Sequence, residues 1–171
     1  MKIAIIYDPI YPFVIGGGEK RNWEIAKRLA KIGHDVHLVG MKFWKGEKEI
    51  VREGVRLVGI CPSIPIGNRS GRRRITQALY FGFFVFLHLL KKKYDLIDCS
   101  NFPYFSALAV KAAKAILRRK DVFVITWHEV WGLKQWWEYA GFICIGGIIT
   151  EWIMARITKH NIFVSEFMRR K

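Results

Sequence analysis

Gly16, Gly17 and Gly18 run together in the stretch GGGEKRNWEIAKRLAKIGHDV, directly ahead of an amphipathic basic segment. A backbone without Cβ atoms can take positive φ and carry its N–H groups close to a ligand, so glycines opening a helix could cradle phosphate or sugar oxygens. The same residues also make a tight loop-to-helix turn that holds nothing. Two cofactor loops are excluded by detail. GGGEKR is not G-x-G-x-x-G, and the second apolar run ends HLVGM, with no Asp or Glu to accept from a nucleotide ribose. No G-K-[ST] follows the glycines, which removes a Walker loop.

A second reactive pair, His128 and Glu129, follows the apolar run Val122 to Thr126. HEVWG lacks the second histidine of H-E-x-x-H, so zinc chemistry is not implied and no metal is expected. His34 and His37 read as packing or strand-edge residues and His88 as a core histidine within an apolar stretch. Trp127, Trp131, Trp136, Trp137 and Tyr139 crowd the segment WHEVWGLKQWWEYAG. Their faces suit sugar rings, a bilayer interface, or a plain cover over the core beneath a long loop.

The elements that must position these groups alternate along the chain. Strands are predicted at Ile3 to Tyr7, Val36 to Val39, Val55 to Ile60, Leu96 to Cys99, Val122 to Thr126 and Asn161 to Val164. Helices are predicted from Gly18 to Lys31, through the buried stretch ITQALYFGFFVFLHLL, at Ser106 to Leu117 and at Ile148 to Ile157. In the first helix Trp23, Ala26, Leu29 and Ala30 form the apolar face, while Lys20, Arg21, Glu24, Lys27, Arg28 and Lys31 take the other. Strands alternating with helices imply an α/β fold, a Rossmann-like doubly wound parallel sheet. Ligands bind such sheets beyond the carboxyl ends of the strands, which marks the Asp8 to Gly18 loop and the ends of the fourth and fifth predicted strands. Ser165 reads as the cap of a further helix, so residues 1–171 read as one domain of something longer.

Composition bounds the partner. The chain has 29 Lys and Arg against 14 Asp and Glu, a formal net charge of +15, which favours anions: nucleotide phosphates, an acidic membrane surface or nucleic acid. Nucleic acid ranks last, because the basic residues are spread over several helices and no recognised nucleic-acid motif is present. Cys61, Cys99 and Cys144 form no C-x-x-C pair, in keeping with a reducing, cytoplasmic setting, and no signal peptide opens the chain. The apolar stretch after Arg72-Arg73-Arg74, about 16 residues, is shorter than the roughly 20 that span a bilayer. Arg69, Arg72, Arg73 and Arg74 before it and Lys91, Lys92 and Lys93 after it could hold anionic headgroups in a peripheral attachment.

Four blocks in order resemble the N-terminal half of a family 4 glycosyltransferase, a GT-B two-domain architecture in which two Rossmann-like domains face each other across a cleft. GGGEKRNWEIAKRLAKIGHDV is similar to the family's Gly-Gly-x-Glu, helix and Gly-His-Glu-Val opening, with Asp35 a conservative departure. YDLIDCSNFPYFSALA resembles its fourth strand and following helix, with Asp98 and Ser100 where the family has histidines, so no role is carried onto them. VFVITWHEVWG resembles the strand ending in His-Asp or His-Glu, and HNIFVSEFMRR the strand and Val-Ser-Glu before the interdomain linker.

The resemblance implies sugar transfer, of hexosyltransferase type, from a nucleotide-sugar donor with retention of configuration and no obligatory metal or other cofactor. It places Gly16 and Gly17, with Gly18 beside them, against the donor phosphate or the acceptor. His128 is then the catalytic-site residue that hydrogen-bonds the sugar, and Glu129 stands second in line. The acceptor is a lipid-linked molecule, a glycan or a small polyol. The second domain, which carries most of the donor site and a pair of glutamates, is expected beyond this chain, and the isolated chain is expected to be inactive. The alternative is a non-catalytic membrane-associating or scaffold domain.

Overall fold

Apolar runs with no polar face become inner strands, because a strand covered by helices on both sides has no side to show to water. The computed structural model describes residues 1–67 and 72–170. Its sheet holds β1 (Lys2–Ile6), β2 (Asp35–Lys42), β3 (Glu49–Arg52), β4 (Val55–Pro62), β5 (Leu96–Ser100), β6 (Val122–Trp127) and β7 (His160–Phe163). Their order across the sheet is β3-β4-β2-β1-β5-β6-β7. All pairings are parallel except β3 with β4. The chain winds outward from β1 first toward β4 and then, in the opposite direction, toward β7. That reversal is the Rossmann pattern, and it leaves a crevice at the carboxyl ends of β1 and β5.

Side-chain alternation along each strand divides the core in two. Ile3, Ile5, Val36, Leu38, Val55 and Leu57 pack with Trp23 and Ala26 of α1 (Gly17–Lys31). Ala4, Ile6, Val39 and Met41 turn to the other face, against α2 (Ile75–Lys91), α3 (Tyr104–Ile116) and α5 (Cys144–Ile157). The three cysteines are free and buried.

Four expectations change. The sheet is not wholly parallel: β3 enters as an antiparallel edge strand, joined to β4 through Glu53 (φ 48) and Gly54 (φ 77), both left-handed as a two-residue hairpin turn needs. The segment expected as a long loop after β6 contains α4 (Leu133–Ala140), and α5 begins earlier than its sequence pattern indicated. The helix expected to be buried, α2, is buried along Ala78, Phe81, Val85 and Leu89, but Ile75, Leu79 and Phe83 are exposed. Finally, Arg73 does not stand free for headgroups, because it is the partner of a buried carboxylate. Arg69 lies outside the described residues. Among the described residues no helix is long and apolar enough to cross a membrane.

That carboxylate is Asp8, fully buried just past β1. Arg73 grips it with both terminal nitrogens, 3.0 Å from Oδ1 and 3.0 Å from Oδ2, and Gln77 donates to Oδ2 at 2.8 Å. The end of β1 is thereby fastened to the N-terminal turn of α2. Arg73→Ala would strand the charge and is expected to destabilise the chain by about 3–5 kcal/mol in urea denaturation. Arg74→Ala, at the exposed neighbour whose side chain makes no cap bond, should change stability by less than about 0.5 kcal/mol; equal effects would show that the pair does not hold β1 to α2.

Candidate functional site

Parallel strands deliver their carboxyl ends to one edge, so residues far apart in sequence meet there. Tyr7 and Asp8 arrive from β1, Ser100 and Asn101 from β5, and His128 and Glu129 from β6, with the first turn of α1 across from them.

His128 is held on three sides. Its backbone N–H donates to Asn101 Oδ1 at 3.1 Å, its Nε2 lies 3.2 Å from Ser100 Oγ, and its ring stacks on Tyr7 with centroids 5.7 Å apart. Asn101, fully buried, also donates through Nδ2 to the Glu129 carbonyl at 3.0 Å, so one amide fixes both residues of the pair. Burial, helped by the Arg21 guanidinium, pushes the His128 pKa down to about 4, so the ring is neutral near pH 7. Ser100 engages one ring nitrogen and thereby sets what the other can do. Among the described residues no partner bonds Nδ1, which remains able to meet a ligand hydroxyl. Burial, with nearby carboxylates, also raises the Tyr7 pKa, so Tyr7 is an uncharged phenol.

The glycines meet this group at one point, and for a different reason from the one expected. None of Gly16, Gly17 and Gly18 has positive φ; Gly16 is extended. What matters is space. A Cβ on Gly18 would lie 3.3 Å from Tyr7 Cε1 and 3.5 Å from His128 Cε1, whereas one on Gly17 would meet nothing within 4 Å. Gly18 lets the helix approach the histidine, and Gly17 faces open room. Gly16 is overlaid by the carboxylate of Glu19, the acidic residue of the first turn. The N–H groups of a helix's first turn have no partner within the helix, and the N-cap residue here, Gly16, has no side chain to cap them.

Arg21 belongs to the site and not to the solvent face where its helical position put it. It lies one turn beyond Gly17, its Nη1 is buried with no hydrogen bond among the described residues, and its charge is felt by both His128 and Asp98. Asp98 accepts from Thr126 Oγ1 at 2.7 Å, and burial raises its pKa to about 6. Away from the crevice, His37 bonds Asp35 at 3.1 Å and His88 bonds Tyr94 at 2.8 Å, both packing roles. Among the described residues no group of three or more His, Cys, Asp or Glu side chains could hold a metal ion.

An aromatic wall continues from the site. Phe102 stacks on Trp131, and Trp131 contacts Trp136 and Tyr139 at centroid distances of 4.9 and 4.8 Å. Glu151 of α5 ties this wall together, accepting from Trp131 N at 2.7 Å, Trp136 Nε1 at 3.3 Å and Tyr104 OH at 3.5 Å.

Residues 15–171 match the family model of Glycosyltransferase Family 4. The chain belongs to that family. Among solved structures it is similar to the Streptomyces sp. SF2575 glycosyltransferase SsfS6, at 15% identity and a TM-score of 0.41. That similarity covers 96% of this chain and 50% of that one, so the family 4 chain described here spans about half the length of the structure it matches. No curated protein matches it.

Sequence reasoning missed Tyr7, Ser100, Asn101 and Arg21 in this glycosyltransferase domain. Position at strand ends signals the first three; for Arg21 the signal is its four-residue spacing from Gly17. The His128 pKa carries a stability consequence with a definite sign. Between its unfolded value of about 6.5 and the folded value of about 4, the unfolded chain binds a proton that the folded chain refuses. The associated stability is complete above the unfolded value and is lost as pH falls toward the folded one. The advantage of the native chain over His128→Gln should therefore shrink across that window in denaturation curves, and a constant difference would show that the ring is not held neutral.

Proposed function

We propose that this family 4 chain is the acceptor-side half of a GT-B glycosyltransferase that moves a hexose from a nucleotide-sugar donor to an acceptor with retention of configuration, at the cytoplasmic side where three unpaired cysteines stay reduced. The observation that carries the reading is His128: neutral, clamped by Asn101, Ser100 and Tyr7, with Nδ1 unpartnered among the described residues and Gly18 of the first turn of α1 close against its ring.

In this reading the His128 ring hydrogen-bonds a hydroxyl of the transferred sugar, and fixed orientation makes that bond stronger as charge develops. The first turn of α1 meets the donor diphosphate or the acceptor through the N–H groups at Gly17 and Gly18, with Gly16 opening the turn. Arg21 supplies positive charge to the same space. Glu129, whose backbone Asn101 holds, stands next to His128 and lines the acceptor side. The donor nucleotide and the remaining charges that stabilise the departing diphosphate are assigned to a second domain, so turnover requires both halves. The reaction needs no metal in this scheme.

Two substitutions in the two-domain enzyme test it. His128→Ala should lower kcat about ten- to hundredfold, the size of one hydrogen bond realised in the transition state, with the fold retained by circular dichroism. Early melting with normal specific activity would make His128 structural. A Cβ at Gly17 would meet nothing within 4 Å, so Gly17→Val should lower activity with stability retained, reporting a ligand in that space. Full activity of this variant would leave the space empty of donor and acceptor alike.

A further inference from the structure

A helix that is apolar on all sides belongs in a core, and α5 is apolar on all sides yet half of it faces water. Ile145, Ile149, Trp152 and Ile153 are 64, 52, 58 and 41% exposed, spaced along one face. Phe142, at 88%, and Trp137, at 51%, extend that face to α4, with their rings 5.3 Å apart. Contiguous exposure of this kind marks a surface that something covers.

Behind the apolar face lies a cavity of about 820 Å³, within the range of pockets that hold an organic ligand. Phe102, Trp136, Trp137 and Gly147 are among its apolar lining, and Arg72, Arg73 and Arg74 bring three cations to it against the single carboxylate of Glu138. Gly147 is required for its shape, because a Cβ there would lie 2.3 Å from the Trp136 ring. The cavity adjoins the candidate site: Phe102 follows Asn101, and Arg73 sits over Phe102 while gripping Asp8.

An apolar lining with cations grouped on one segment, 72–74, is complementary to a chain-like apolar molecule with an anionic head. A single sugar ring could stack on one of these aromatic faces but would leave most of a cavity of about 820 Å³ unfilled. Tryptophan and phenylalanine beside isoleucine, with Lys134 and Arg156 on the same two helices, is the side-chain mixture that settles at an anionic bilayer surface, and the net charge of +15 has the matching sign. We infer that the cavity receives a long-chain lipid carrying a phosphate or diphosphate, and that the exposed α4–α5 face seats the chain on the bilayer containing that lipid. The inference rests on the glycosyltransferase reading only in making this lipid the acceptor.

Sedimentation of the 171-residue chain with vesicles tests it, using phosphatidylcholine alone, phosphatidylcholine with phosphatidylglycerol, and phosphatidylcholine with a polyprenyl phosphate. Expected are weak binding to the first, salt-sensitive binding to the second and the tightest binding to the third. Phe142→Ser with Ile149→Ser, both at exposed positions, should abolish binding to all three. Arg72→Gln with Arg74→Gln should weaken binding to both acidic vesicles about thirtyfold, from two surface charges; Arg74→Gln alone, which leaves the Arg72 contact with the Tyr139 ring in place, should give about fivefold. Gly146→Phe, where a Cβ meets no atom, narrows the cavity and should remove only the preference for polyprenyl phosphate.

Equal or absent binding across the vesicles overturns the inference, as does a Phe142 and Ile149 variant that binds like the native chain. Displacement from polyprenyl-phosphate vesicles by millimolar inorganic phosphate would assign the arginines to a free anion, and self-association through Phe142 without vesicle binding would assign the face to a second copy; either rejects it. The readout is binding, so His128→Ala should retain it. A chain that docks on lipid phosphate but belongs to an enzyme without transfer activity would reject the catalytic reading alone, and an active enzyme indifferent to lipid phosphate would reject this one alone.

Discussion

A carboxylate with no access to water governs how the rest of this domain is arranged. Asp8 sits where β1 ends and the strand order reverses, the position from which the crevice opens. A charge buried that deeply persists only when a cation and hydrogen-bond donors surround it, and both come from one place, the entrance to α2. Meeting that demand brings the 72–77 segment against the crevice. The same contact sets Arg73, which lines the cavity, over Phe102, the residue after Asn101, so the fold's electrostatic requirement also joins the cavity to the strand that holds the histidine.

Around that anchor the site is built mainly from neutral polar contacts. Asn101 uses both ends of its amide on consecutive residues of the β6 loop, and Ser100 and Tyr7 limit the His128 ring from two further directions. Ser100 and Asn101 come from β5 and Tyr7 from β1, while the ring itself follows β6, so its position depends on sheet register and not on any local turn. Such preorganisation suits the role proposed for the ring, which requires one orientation and no change of charge.

How much of this was legible in the sequence follows from what each residue answers to. β1 and α1 were readable because continuous apolarity and helical spacing are local signals, and His128 because it ends an apolar run. β3 was not: EIVR is short, half-exposed and joined by Glu-Gly, where hairpin turns more often announce themselves with Asn-Gly or Asp-Gly. α4 was hidden by its tryptophans, which read as a loop cover, and Arg21 by a face assignment that ignored how far the first turn of α1 overhangs the crevice. The glycine stretch drew attention for the right place and the wrong dihedral, since close approach at Gly18 is a property of Tyr7 and His128, which come from other strands. Tyr7, Ser100 and Asn101 owe their roles to neighbours across the sheet, and no local pattern encodes those.

Glu151 gives the molecule a mechanical property. One carboxylate oxygen of α5 is bonded to the backbone of Trp131, three residues past His128, and the other to the Trp136 ring of α4. Burial of this carboxylate makes each lost donor expensive, so the linkage is stiff under small loads. Tilting or sliding α5 therefore drags the segment that leads away from His128, and the β6 loop has α5 as its lever arm, with Glu151 as the pin.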